Sequence, residues 1–85
     1  MKQICLIDGR FEAVIDGERL LIFDLSAEYT DGGRSPLHVL SAARMNSELD
    51  AGRATLEWLR DNGYITGSEF YHGSDELHLR YRNQQ

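Results

Sequence analysis

A chain of 85 residues has room for one domain with a small core, and none for a deep enclosed active site. Its nine Lys+Arg face 14 Asp+Glu, a formal net charge of −5, which argues against sequence-independent binding to nucleic acid, since that depends on neutralising phosphates. With 41% hydrophobic and 27% charged residues the chain is expected to fold, and no apolar run approaches the ~18 residues of a membrane span.

The start, Met1-Lys2-Gln3, opens no apolar stretch of the signal-peptide kind, so a cytosolic protein is expected. Cys5 stands alone, which rules out an internal disulfide. In the run ICLI it reads as a small buried hydrophobe, with no cation beside it to activate a thiolate. Eight of the nine basic residues are arginine, a residue suited to interface pairing.

The first third, QICLIDGRFEAVIDGERLLIFDL, holds three β-prone runs separated by Asp8-Gly9 and Asp16-Gly17. Two-residue Asp-Gly corners suit type I′ turns, which need φ > 0 at both central positions, so residues 1–25 are expected to form an antiparallel β-meander. In RFEAVI, Phe11, Ala13 and Ile15 share one face, while Arg10, Glu12 and Val14 share the other. The two aspartates read as corners. A calcium loop needs several more oxygen ligands at close spacing, and apolar residues occupy those positions.

SAEYTDGGRS, residues 26–35, reads as a polar connector; its Gly32-Gly33 lacks the GxxxxGK[ST] pattern of a phosphate loop. Ser35-Pro36 is a helix start signal, and PLHVLSAARM places Leu37, Leu40 and Ala43 on one stripe. Ser47-Glu48-Leu49-Asp50 is a second start, with Asp50 in the capping-box position, and Asn62-Gly63 the matching stop. Within that helix Leu49, Leu56 and Leu59 share a face with Ala51 and Gly52, and Trp58 lies to one side. YITGSEFYHGSDELHLRYR then reads as a hairpin with its corner near His72–Asp75. Its second arm alternates Leu77, Leu79 and Tyr81 with His78, Arg80 and Arg82. Asn83–Gln85 is a polar end expected to fray.

The expected fold is therefore α+β: an N-terminal antiparallel β-meander (1–25), then two helices and a C-terminal β-hairpin (35–82), in a single domain of residues 1–85. LEWLRDNGYI followed by the alternating LHLRYR resembles the winged helix-turn-helix over roughly Ser35 to Arg82. That resemblance implies a recognition helix near residues 47–62 and a wing near His72–Asp75. The first helix of the usual three-helix unit is replaced here by the meander, and the candidate recognition helix carries Glu48, Asp50, Glu57 and Asp61 against Arg53 and Arg60. Four carboxylates fit poorly beside phosphates.

No catalytic set emerges, and no cofactor is expected. His38, His72 and His78 lack HxxxH or HExxH spacing. His72 and His78 meet across the expected hairpin, with Asp75 as a third metal ligand, but surface histidines are the simpler reading. Ser68, Ser74, His72 and Asp75 sit at a hairpin tip, which offers no oriented base or oxyanion hole. Trp58, Tyr64, Phe70 and Tyr71 read as core or core edge, with one or two exposed.

The expected function is a non-enzymatic, acidic protein-binding module. Short acidic chains of this sort resemble phage anti-defence (anti-CRISPR-like) proteins as a class. That resemblance implies an inhibitor of a nucleic-acid-handling complex that mimics nucleic acid toward a basic partner surface. The contact residues would be Glu48, Asp50, Glu57, Asp61, Asp75 and Glu76. The alternative is a winged-helix DNA-binding regulator using Arg53, Arg60, His78, Arg80 and Arg82, with Tyr71 and Tyr81 as stacking faces. Homodimerisation through an edge of the meander is compatible with either.

Overall fold

The computed structural model describes residues 2–26 and 35–82. Four strands are followed by two helices: β1 Lys2–Leu6, β2 Phe11–Asp16, β3 Arg19–Asp24, β4 His38–Ser41, α1 Glu48–Asp61 and α2 Gly67–Tyr81. They fall into two compact units, residues 1–44 and 45–85. The coarse class is α+β, as expected; the second half is built differently from the expectation.

In the first unit the strands form one antiparallel sheet in the order β1-β2-β3-β4, so β1 and β4 are its edges. Side chains alternate between faces. Ile4, Leu6, Phe11, Ala13, Leu20 and Ile22 share one face through the pairs Ile4↔Ala13, Leu6↔Phe11 and Ala13↔Ile22, with Leu20 opposite Ile15, and all six are at most 1% exposed. The other face carries buried Val14, half-buried Leu21 and Phe23, and exposed Val39. Cys5 also lies on that face and is exposed, correcting its reading as a buried hydrophobe. Strand alternation hands the buried positions to its neighbours Ile4 and Leu6.

Both corners are turns, and the first follows expectation at its centre. Asp8 and Gly9 take φ of 54° and 84°, and the Arg10 N–H donates to the Ile7 carbonyl at 3.0 Å, the signature of type I′. Ile7 is also left-handed, at φ 53°. Such a conformation costs a β-branched residue on the order of 1–3 kcal/mol, and burial of its side chain opposes that cost. The second corner is shifted by one residue. Asp16 pairs with Arg19 and remains in β2, so Gly17 and Glu18 are central, and only Gly17 has positive φ, 61°. This is the φ pattern of type II′, which wants glycine first.

The helix expected from Ser35-Pro36 is absent; residues 38–41 are β4. Leu20↔Leu40, Leu21↔Val39 and Ile22↔His38 zip it to β3. The Leu37 N–H to the Ile22 carbonyl and the Ala42 N–H to the Glu18 carbonyl, both 2.7 Å, extend the ladder. Pro36, which has no N–H, precedes the strand, where a missing donor costs nothing. The helical stripe of Leu37, Leu40 and Ala43 is a weaker prize than completing an otherwise bare β3 edge. Of the connector, residues 27–34 lie outside the described residues, as does the polar end at 83–85.

In the second unit α1 matches expectation closely. Ser47 caps it, its Oγ accepting from the Asp50 N–H at 3.1 Å. The Asp50 carboxylate accepts from the Asn46 N–H at 3.2 Å, one residue before the cap rather than at it. At the other end the Tyr64 N–H donates to Leu59 O (2.9 Å) and the Gly63 N–H to Arg60 O (3.1 Å). With Gly63 at φ 79°, this is a Schellman stop.

The expected C-terminal hairpin is overturned: residues 67–81 are α2. A full capping box starts it. The Thr66 hydroxyl accepts from the Glu69 N–H (3.1 Å), and the Glu69 carboxylate accepts from the Thr66 N–H (2.8 Å). Glu76 and Arg80 pair at i,i+4, 3.2 Å apart. Gly73, Leu77 and Tyr81 are buried at a helical spacing, while Leu79, which alternation would have put beside Leu77 and Tyr81, is 67% exposed. With the wing gone and residues 38–41 a strand, the winged-helix outline does not describe this chain.

Candidate protein-interaction site

α1 has two very different faces. Ala51, Gly52, Thr55, Leu56 and Leu59 are buried, and the Thr55 hydroxyl donates to the Ala51 carbonyl at 2.8 Å, so its polarity is satisfied within the helix. Opposite them, Asp50, Glu57 and Asp61 recur at i, i+7 and i+11 with Arg53 and Arg60 alongside, all exposed. Three of the four acids expected to meet a partner are therefore brought to one surface.

Glu48 is not among them. It turns toward the last residue of α2 and accepts a hydrogen bond from the Tyr81 hydroxyl. Burial pushes the Tyr81 hydroxyl above its ordinary ionisation range, the Glu48 bond adds to that, and neighbouring Arg80 opposes it. Glu48 thus works inside the fold, tying the start of α1 to the end of α2.

The helix redistributes the residues read onto hairpin arms. His78, Arg80 and Arg82 no longer form one basic stripe. His78 and Arg82 share a side at i,i+4, while Arg80 turns to Glu76 and lies over the Tyr81 ring, 5.8 Å from its centroid. Asp75 and Glu76 separate likewise: Asp75 is exposed and Glu76 half-buried. The pairing of His72 with His78 across a hairpin does not exist, since six residues along a helix point to different sides. The outer stripe of α2 instead runs Tyr71, Asp75, Leu79 and Arg82, with Tyr71 72% exposed.

At the turn between the helices lie the aromatics expected as core or core edge with one or two exposed. Trp58 and Tyr64 stack with ring centroids 5.4 Å apart and 21° between planes. The Schellman stop makes this contact, because it returns the residue after Gly63 against the last turn of α1. The Arg60 guanidinium lies over the Phe70 ring at 4.2 Å from its centroid, while its Nε donates to Asp61 Oδ1 at 3.2 Å. Phe70 in turn meets Tyr71 edge-on at 5.8 Å. Trp58 and Phe70 are half-buried, while Tyr64 is exposed. The signal was present in LEWLRDNGY: an aromatic five residues before a helix-stopping glycine and another just after it.

Comparison with family models, with curated proteins and with solved structures finds no match to this chain. Among the described residues no helix is long and apolar enough to cross a membrane.

Proposed function

We propose that this protein is a non-enzymatic protein-binding module that engages a basic partner surface, and that it acts as an inhibitor of a nucleic-acid-handling complex in the manner of phage anti-defence (anti-CRISPR-like) proteins. The observation that carries the reading is the charge of the helical unit. Residues 45–85 hold seven acids and four bases, and two of those four arginines are engaged internally, Arg60 by Phe70 and Asp61, Arg80 by Glu76 and Tyr81. Those pairs neutralise Asp61 and Glu76 in turn, so the unit keeps an excess of three acids, and the carboxylates of Asp50, Glu57 and Asp75 are exposed on its surface. Carboxylates on a rigid helix face can stand where a partner expects phosphates, and complementary charge raises association rates and rejects wrong partners. Exposed Tyr71 and Leu79 add apolar anchors of the kind that carry interface energy. The setting is taken as cytosolic, in keeping with a single cysteine that cannot form an internal disulfide.

The test is capture from host lysate with and without nuclease, repeated with Asp50→Lys, Glu57→Lys and Asp61→Lys combined. A protein retained after nuclease and lost with the charge-reversed variant is the expected result. Retention unaffected by charge reversal, or retention of nucleic acid alone, overturns the reading.

A further inference from the structure

We propose that Asn62-Gly63 is a site of spontaneous deamidation, held closed by the stop of α1 and opened when that helix end frays. The proposal goes beyond the protein-binding reading and does not depend on it. An asparagine followed by glycine is the pair in which the next backbone nitrogen attacks the side-chain amide with least hindrance, because glycine has no Cβ. Asn62-Gly63 is the one such pair in the chain, and both residues are exposed, so solvent water reaches them. The chemistry is intramolecular. The Gly63 nitrogen attacks Asn62 Cγ; a C–N bond forms, the Cγ–Nδ2 bond breaks, and ammonia leaves with the proton that the Gly63 nitrogen gives up. Water, the one co-reactant, then adds to the five-membered imide. Opening at the side-chain carbonyl gives aspartate. Opening at the backbone carbonyl gives isoaspartate, in which the main chain runs through the side-chain carbons.

The fold opposes the first step in three ways. Ring closure requires Asn62 Cβ and the Gly63 nitrogen to eclipse about the Asn62 Cα–C bond. With Asn62 at ψ 10°, its own backbone nitrogen is eclipsed instead, and Cβ is turned well away. The attacking Gly63 N–H is engaged, donating to the Arg60 carbonyl at 3.1 Å. The departing amide is engaged too, Asn62 Nδ2 donating to the Trp58 carbonyl at 2.9 Å. All three restraints belong to the last turn of α1, and helix ends are where opening costs least. The Tyr64 N–H bond to the Leu59 carbonyl and the stacking of Tyr64 on Trp58 brace that turn. The reaction therefore proceeds from the opened turn, at a rate set by the fraction of chains in which it is open. Its product does not restore the stop. A carboxylate cannot donate to the Trp58 carbonyl, and it places a second negative charge beside Asp61 at the helix end where the dipole disfavours one.

The experiment incubates the full chain at neutral pH in native buffer and in guanidinium chloride, digests both with trypsin, and follows the mass of the fragment from Asp61 to Arg80. Asn62 is the one side-chain amide in that fragment, so the mass gained when an amide nitrogen is replaced by oxygen reports this site. The gain is expected to be at least about tenfold slower in native buffer than in guanidinium. Tyr64→Ala removes the ring that braces the turn and keeps the Asn-Gly pair. It should speed the gain in native buffer about fivefold and leave the guanidinium rate as it was. Were that variant to unfold, its two rates should coincide. Asn62→Asp carries one product directly, and in it the Tyr64 amide should exchange with solvent about threefold faster than in the native chain. Equal rates for the native chain in the two solvents, or no gain in guanidinium, overturns the proposal. So does a Tyr64→Ala chain that stays helical by circular dichroism and deamidates at the native rate, and unchanged exchange in Asn62→Asp overturns the effect assigned to the product.

Discussion

A Cβ placed on Gly52 would stand 2.7 Å from Leu77 Cδ1 and 2.9 Å from Cδ2. Gly52 is in α1 and Leu77 in α2, both buried, so the helices approach where one of them has no side chain. Leu77 fills the space that Gly52 leaves. Gly52→Ala gains about 1 kcal/mol of helix propensity, but it forces a fully buried leucine to move, and overpacking typically costs about 1–3 kcal/mol. The expected net result is a loss of about 1 kcal/mol, read from urea unfolding of the helical circular dichroism signal. Adding Leu77→Val to Gly52→Ala should cost less than Leu77→Val alone. A more stable Gly52→Ala protein would mean that Leu77 swings aside freely.

The capping box of α2 makes a second prediction. Thr66 and Glu69 each accept an N–H that the first turn of a helix leaves without an intrahelical partner. Thr66→Ala should cost about 1 kcal/mol, and Thr66→Ser should recover most of it. Equal stability for Thr66→Ala and the native chain would show that packing alone holds the start of α2.

How much of this was legible beforehand depends on which signal was read over which length. α1 was legible at both ends because Ser47 and Asn62-Gly63 act locally, through bonds within a few residues. The meander was legible because Asp-Gly corners and period-two alternation agree. β4 was not legible, because its partner is β3, across residues 25–37, and a Ser-Pro start followed by leucines satisfies a local helix template. α2 was misread for a different reason. Three alternating residues, Leu77, Leu79 and Tyr81, satisfy a strand template locally, whereas the longer helical pattern of Phe70, Gly73, Leu77 and Tyr81 and the T-x-x-E box that precedes it belong to the helix that forms. Exposed Leu79 is the residue that separates the two patterns. The acids of α1 were legible by count alone; the helix decides which of them share a surface, and Glu48 leaves that set through a bond to Tyr81 that exists only because α2 is a helix.

That bond gives the third prediction. Tyr81 ionises above its ordinary range in the folded chain because burial and Glu48 disfavour the phenolate. A tyrosine in the unfolded chain ionises at about 10. Below that pH both states hold the proton and stability is flat. Above it the unfolded state loses its proton first, so stability falls as pH rises through the folded value. The helical unit should therefore hold its melting temperature from neutral pH to about 9 and lose it above about 10. Tyr81→Phe should flatten that alkaline loss while costing about 0.5–1.5 kcal/mol at neutral pH through the lost hydrogen bond. An alkaline loss unchanged in Tyr81→Phe would assign it to other groups.

The last prediction separates a helix from a hairpin at residues 67–81. Asp75 is exposed in the interior of α2, so replacing it removes no buried contact. Proline there deletes an N–H that donates within the helix, and its ring clashes with the carbonyl four residues back, at Tyr71. Asp75→Pro should destabilise the unit by about 3 kcal/mol or more, with loss of helical circular dichroism, whereas Asp75→Ala should be neutral or mildly stabilising. In a hairpin whose corner lay at His72–Asp75 the proline would be well tolerated, since corners accept a fixed φ and a missing donor. Full helical signal and unchanged stability in Asp75→Pro would return this segment to a turn. It would also undo the burial of Leu77 against Gly52, because those two side chains meet only if α2 is continuous through residue 75.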